Sequence, residues 1–266
     1  MIPILYESAF LSIQTLWVFV VIGLLIASYL SVQRLKRARV NFTLIIERST
    51  GILVTGLITS RIIYFITHTG TYFPAFDLRT IWNFLSIWDQ GFSFWGAVIG
   101  AGTMLVYRLK RSEENSWRWG DALIVPMLIG LMIGEIGAFL GGYSYGTPTN
   151  LPWAIRYDAF NVKYTVPVHP TQIYVFITIL LILLSKRLLS KKTDFFKRDG
   201  NTTIYFATMC SLGFFLLEFL RGDDTLTIFS VRIPTIFFLL IFIGSGQLLY
   251  KRIKTPQYES TETPNA

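Results

Sequence analysis

Seven stretches of this chain, over residues 12–30, 50–66, 92–107, 121–140, 171–184, 203–220 and 233–250, are nearly free of charge and dense in Leu, Ile, Val and Phe. A bilayer core about 30 Å thick is crossed by a helix of roughly 20 residues, so each stretch reads as a span. The third and fifth are short and must tilt, re-enter or extend into their flanks. Such spans have to be helical, because lipid offers no partner to a free backbone N–H or C=O. The expected fold is therefore an all-α polytopic membrane protein with seven transmembrane helices. Composition agrees: 52% of the 266 residues are hydrophobic and only 15% charged, against roughly 25% charged in soluble domains. A disordered chain, a collagen and a coiled coil are excluded on that basis, and a soluble enzyme is disfavoured. The leader over residues 1–7 carries no positive charge, so the first span is read as retained and not as a cleaved signal peptide.

The net charge of +8 raises the question of nucleic acid, and its placement answers it. The segments after spans one, three, five and seven hold 18 of the 24 Lys and Arg residues, the opposite side holds five, and Arg61 lies within a span. That asymmetry is the positive-inside pattern, which puts the N-terminus outside and the C-terminus in the cytoplasm. Anionic lipid is then the expected contact of the basic loops, and no nucleic-acid partner is needed. Cys210, the single cysteine, excludes an intrachain disulfide framework, and with only His68 and His169 beside it no metal site is expected. No nucleotide or dinucleotide fingerprint occurs, and no cofactor is expected.

The outer side carries more structure. In residues 77–88, Ile81, Leu85 and Trp88 fall on one face at helical spacing, the pattern of a helix lying in the interface. Residues 141–168, rich in Gly, Pro and aromatics, read as a small outer head of turns and short strands. Residues 1–254 form one transmembrane domain including that head, and 255–266 a disordered cytoplasmic tail.

Ionisable groups at membrane depth cost at least about 2.5–3.5 kcal/mol each, so each is a functional candidate. They are Arg61, Asp121, Glu135, Glu218 and Arg221, with His169 at a span mouth. Structural alternatives stand beside each. Glu218 and Arg221 are three apart and can pair on one helix, Arg61 can neutralise Glu135, and Asp121 can cap a helix start. His169 is either a hydrogen-bonded structural residue or a base. Gly96-x3-Gly100, Gly130-x3-Gly134 and Gly137-x3-Gly141 suit close helix packing. The run from Gly134 to Gly146 also suits a helix fraying into backbone that offers N–H groups to an anion.

The motifs in this order resemble the prolipoprotein diacylglyceryl transferase family over roughly residues 5–250. Trp88-Asp89-Gln90-Gly91-Phe92-Ser93-Phe94-Trp95-Gly96 is similar to the family's W-D-G-G-M-S-F-H-G. His169-Pro170-Thr171-Gln172-Ile173-Tyr174 is similar to its H-P-S/T-Q-L-Y. Ser60-Arg61-Ile62, Asp121 through Pro126, and Glu218-Phe219-Leu220-Arg221 match its G-R-I, D-x-x-x-x-P and E-F-F-R stretches. The resemblance implies transfer of diacylglyceryl from phosphatidylglycerol to the lipobox cysteine of prolipoproteins, releasing glycerol phosphate. Its partners would be phosphatidylglycerol or another anionic phospholipid and a prolipoprotein signal segment. By this resemblance His169 and Arg221 are the catalytic candidates. Arg61, Glu218, Gly137 and Gly142 are the candidates for the lipid head group, and Asp121, Gln172 and Tyr174 for structural support. Five positions depart from the family pattern: Trp95 stands for a histidine, Glu135 for a phosphate-facing arginine, Ala138 for an asparagine, Phe214 for an arginine and Val175 for a glutamate. At about 4 Å and an effective dielectric near 20, each unit of charge reversed at position 135 is worth about 4 kcal/mol. An active transferase and a non-catalytic homologue that binds phospholipid or lipoprotein signal segments both remain open, with a transporter on the same scaffold as a third reading.

Overall fold

The computed structural model describes residues 3–8, 12–40, 43–67, 82, 84, 86, 91–158, 162–225 and 227–255. They form two compact units, one of Met1–Ser31 with Gly120–Ala266 and one of Val32–Trp119. Seven α-helices are present among the described residues: α1 (Thr15–Arg37), α2 (Thr43–Thr67), α3 (Phe94–Arg111), α4 (Ser116–Gly141), α5 (Thr171–Leu189), α6 (Asn201–Glu218) and α7 (Ile233–Lys254). Helices α1 and α4 each run through the boundary between the units.

Among the described residues, five helices are long and apolar enough to cross a membrane: α1, the Ser49–Ile66 part of α2, α4, α5 and α7. The short fifth stretch is lengthened, since α5 continues through Ser185, Lys186 and Arg187 to Leu189. The other two helices have 18 residues each, or about 27 Å at the usual rise. Their ends are also polar. Arg108, Lys110 and Arg111 close α3, while Asn201-Thr202-Thr203 opens α6 and Glu218 ends it. The membrane character is thus carried by five helices, with α3 and α6 marginal.

In the Val32–Trp119 unit, α2 packs on α3 through glycine. A Cβ on Gly96 would lie 2.7 Å from the Ser60 Cα, and one on Gly100 2.5 Å from the Thr59 Oγ1. The Ser93 side chain caps α3 by accepting from the Gly96 amide at 3.2 Å, and the Ser60 hydroxyl donates to the Ser93 carbonyl at 2.7 Å. Of the helix expected over 77–88, only residues 82, 84 and 86 lie within the described residues. There the Ser86 amide donates to the Trp82 carbonyl at 2.9 Å, one α-helical step. His68 and residues 256–266 lie outside the described residues.

In the larger unit, the first residues pair as an antiparallel hairpin, β1 (Ile4–Glu7) with β2 (Ser12–Gln14), ahead of α1. Three side chains each from α4, α5 and α6 make one core. Val125, Leu128 and Met132 meet Val175, Ile179 and Ile182, and Tyr205, Phe206 and Cys210, with spacings of three and four typical of helix faces. A second small hairpin, β3 (Thr227–Ile228) with β4 (Val231–Arg232), leads directly into α7. Asp121 caps a helix, but not its own. It lies inside α4 and accepts from the Gly200 amide, the Thr203 amide and the Thr203 hydroxyl, each at 2.7 Å. Its negative charge therefore sits on the N-terminal dipole of α6 and fixes where that helix begins.

Candidate active site

The segment from 142 to 170 is held in place mainly by backbone. Helix α4 ends in a closed cap: Gly142, at φ 72°, donates to the Phe139 carbonyl at 3.4 Å and Tyr143 to the Ala138 carbonyl at 2.8 Å. This is the Schellman arrangement, in which glycine carries the left-handed residue. The expected fraying into free N–H groups does not occur, and the Gly142 amide is engaged in the cap. Further on, the Gly146 amide donates to the His169 carbonyl at 2.9 Å, the Thr147 amide to the Leu220 carbonyl at 2.9 Å and the Gly222 amide to the Tyr145 carbonyl at 3.0 Å. Gly146 thus lies between the entrance to α5 and the exit from α6. A Cβ there would come 2.5 Å from the His169 Cβ and 2.8 Å from the Leu220 carbonyl oxygen. The catalytic candidates His169 and Arg221 are brought together around this glycine.

Fully buried Gln172 ties the head to α5. Its Nε2 donates to the Tyr143 carbonyl, and its Oε1 accepts from the Tyr157 hydroxyl at 3.2 Å. Burial pushes the Tyr157 phenol up to about 12, so it stays a donor at any working pH. Around it Tyr145, Tyr157 and Val168 form a small core of their own. Tyr174 accepts from the Trp153 indole at 2.7 Å and lies 3.2 Å from the His169 Nδ1. A phenolic oxygen has two lone pairs. It can accept from both when Nδ1 carries the imidazole proton, and in that tautomer Nε2 is the proton acceptor.

The exit of α6 carries a charge cluster. Arg221 Nε lies 3.8 Å from Glu218 Oε1 and 3.2 Å from Asp223 Oδ1. Arg232 Nε donates to Glu218 Oε2 at 2.9 Å, its Nη2 to Asp223 Oδ1 at 2.9 Å and its Nη1 to the Asp223 carbonyl at 2.7 Å. The Glu218–Arg221 pair expected from spacing is therefore present as the longest contact of a four-membered group. Glu135 on α4 feels the opposing charges of Arg221 and Asp223. It makes no ion pair among the described residues, and its Oε2 is buried without a hydrogen-bond partner.

Arg61, 4% exposed, is held inside the other unit. Its Nε, Nη1 and Nη2 donate to the carbonyls of Phe84 (3.3 Å), Gly91 (2.9 Å) and Ser86 (2.9 Å). Its guanidinium also lies 5.1 Å from the ring centres of Phe65 and Phe92. These contacts fasten the segment before α3 to α2. Gly137 lies against α1, where a Cβ would come 2.5 Å from the Phe19 Cβ. Of the departures, Trp95 is half-buried in the first turn of α3, and Ala138 and Val175 are buried. Phe214 packs edge-on to Phe238 at 5.4 Å. Sequence reading did not single out Asp223 or Arg232. The available signal was that Arg232, on the sparsely basic side, directly precedes the apolar run of α7.

The fold and this cluster define a multi-pass helical membrane protein with a polar, charge-paired site at the helix ends. A model of the family described as prolipoprotein diacylglyceryl transferase matches residues 3–250, and the chain belongs to that family. It is 28% identical over 246 residues to the phosphatidylglycerol–prolipoprotein diacylglyceryl transferase of Thermotoga maritima, covering 90% of this chain and 81% of that one. The enzyme of that name from Prochlorococcus marinus is 28% identical over 80% of this chain and 77% of its own. The one from Clostridioides difficile is 27% identical over 87% and 88%.

Proposed function

We propose that this chain transfers the diacylglyceryl group of phosphatidylglycerol to the thiol of a lipobox cysteine in a bacterial plasma membrane. In this reading it crosses seven times and residues 1–254 act as one catalytic domain. The 141–168 head and the N-terminus lie outside, and the basic loops and C-terminus lie in the cytoplasm. His169 Nε2 takes the thiol proton, since the thiolate is the nucleophile. The thiolate attacks the glyceryl carbon bonded to the phosphate oxygen. A C–S bond forms, the C–O bond breaks, and glycerol phosphate leaves with the electron pair. Arg221 stabilises the charge that gathers on the leaving phosphate. Glu218, Gly137 and Gly142 shape the surroundings of the head group, and Asp121, Gln172 and Tyr174 hold the frame. The observation that carries this reading is the placement of His169 and Arg221 on either side of Gly146, a base and a cation within one frame.

The carboxylates that engage Arg221, together with Glu135, favour a second reading, in which the chain binds phospholipid or a signal segment without turnover. The two separate in one experiment. The full chain, in bilayer discs containing phosphatidylglycerol labelled in its acyl chains, is incubated with a lipobox peptide. Label on the peptide cysteine, lost in His169→Gln and Arg221→Gln, supports transfer. Phosphatidylglycerol retained with no label transferred overturns it in favour of binding alone.

A further inference from the structure

Arg232 is placed by more constraints than a loop arginine needs. It ends β4 and is the N-terminal cap of α7, so its backbone is pinned on both sides. Asp223 Oδ1 accepts from both Arg221 Nε (3.2 Å) and Arg232 Nη2 (2.9 Å), so a single carboxylate oxygen holds two guanidinium groups side by side. Glu218 steadies the second of them from its buried position. Each carboxylate balances one guanidinium, and the pair can stand close without net repulsion. A guanidinium has five N–H bonds, and the described contacts do not use them all. Arg221 Nη1 donates to no described residue, and the Nη1 and Nη2 of Arg232 each use one hydrogen of two. Both side chains keep 18% of their surface open. On α6 itself, the position one turn before Glu218 is Phe214, packed on Phe238. The cation that meets Glu218 Oε2 is therefore brought in from the β3–β4 hairpin.

We propose that Arg232 is a phosphate-holding residue, forming with Arg221 a two-guanidinium cradle for the phosphodiester of an anionic lipid head group. Asp223 is the positioning residue that sets the two forks side by side. Planar forks of this kind match phosphate oxygens in two-point fashion, which a lysine does not reproduce. The proposal deepens the transferase reading and rests on it for the lipid's role as donor.

The test uses the full chain in bilayer discs, comparing wild type with Arg232→Gln, Arg232→Lys and Asp223→Asn. Three quantities are read: the KM for phosphatidylglycerol, inhibition by glycerol phosphate, and preference for phosphatidylglycerol over phosphatidylcholine in retained lipid. Arg232→Gln is expected to raise the KM and weaken inhibition by about tenfold, as for loss of one charge-assisted contact to an anion. Arg232→Lys should fall between, and Asp223→Asn should raise the KM while both arginines remain. A merely structural arginine would lower the unfolding midpoint and leave KM, inhibition and lipid preference in the folded fraction unchanged, which overturns the proposal. If Arg232→Gln does not fold, the folded Arg232→Lys variant decides, and wild-type values for it also overturn the proposal. If wild type retains phosphatidylglycerol without turnover and Arg232→Gln loses that preference, the cradle stands and the transferase reading falls.

Discussion

Replacing Asp121 with alanine removes one carboxylate and leaves three donors of α6 without their acceptor. Two of these are the amides of Gly200 and Thr203, both bound at 2.7 Å. Gly200 and the adjoining Asn201 are buried, so water does not readily replace the lost oxygen. A hydrogen bond to a charged acceptor is worth about 1.5–3 kcal/mol. Counting the two amides at the lower end, and letting the Thr203 hydroxyl reorient, gives a loss of about 3 kcal/mol. For a chain of this size that corresponds to roughly 6–12 °C in unfolding midpoint. Asp121→Asn should cost less, because its oxygen still accepts from Thr203 while its NH2 opposes the Gly200 N–H. The assay follows thermal unfolding of the full chain in detergent alongside hydrogen exchange at amides 200–204. The order wild type, Asn, Ala is expected in both, with exchange rising first at those amides. A midpoint for Asp121→Ala within about 1 °C of wild type, with unchanged exchange, would mean that α6 starts at Asn201 for other reasons.

Restoring the family pattern at three positions together, with Trp95→His, Glu135→Arg and Ala138→Asn, should raise transfer to a lipobox peptide above wild type. Equal transfer by both proteins, measured in cells depleted of their own transferase, would show that these positions do not limit turnover. For orientation, cysteines introduced at exposed Asn150 and Lys192 should label from opposite faces of intact cells, since Cys210 is buried; same-face labelling would reverse the charge argument. Because burial raises the Tyr157 phenol from 10.0 to about 12, the folded state binds its proton more tightly than the unfolded chain does. Its contribution is present below pH 10 and is lost as pH rises through that window. Tyr157→Phe should flatten the decline in unfolding midpoint across it, and an unchanged slope would assign that decline elsewhere.

Hydropathy made the apolar helices legible, because lipid forces the same solution on every long uncharged run. For α3 and α6, whose ends are polar, length and composition alone do not decide the crossing. The glycine pair at 96 and 100 was readable as a packing device for the same reason: only a missing Cβ allows that approach. Other features left no letter in the sequence. The acceptors around Arg61 are carbonyls, which every residue possesses, so its cage of Phe84, Ser86 and Gly91 was invisible. Asp121 was recognisable as a cap, but its target lies 79 residues away, and local reading assigned it to its own helix. Asp223 and Arg232 were not singled out, because spacing within one helix cannot anticipate an acid and a base brought together by a hairpin.

The backbone bonds that join Gly146 to His169, Thr147 to Leu220 and Gly222 to Tyr145 have a consequence for how such a site can change over time. Main-chain bonds are indifferent to most side-chain replacements, so the frame survives when the groups mounted on it are exchanged. Only the glycines are fixed by it, since any side chain at Gly146 or Gly222 would collide with the opposing strand. A lineage can therefore trade one cation for another, or move a charge from a helix to a neighbouring hairpin, without first passing through a collapsed site.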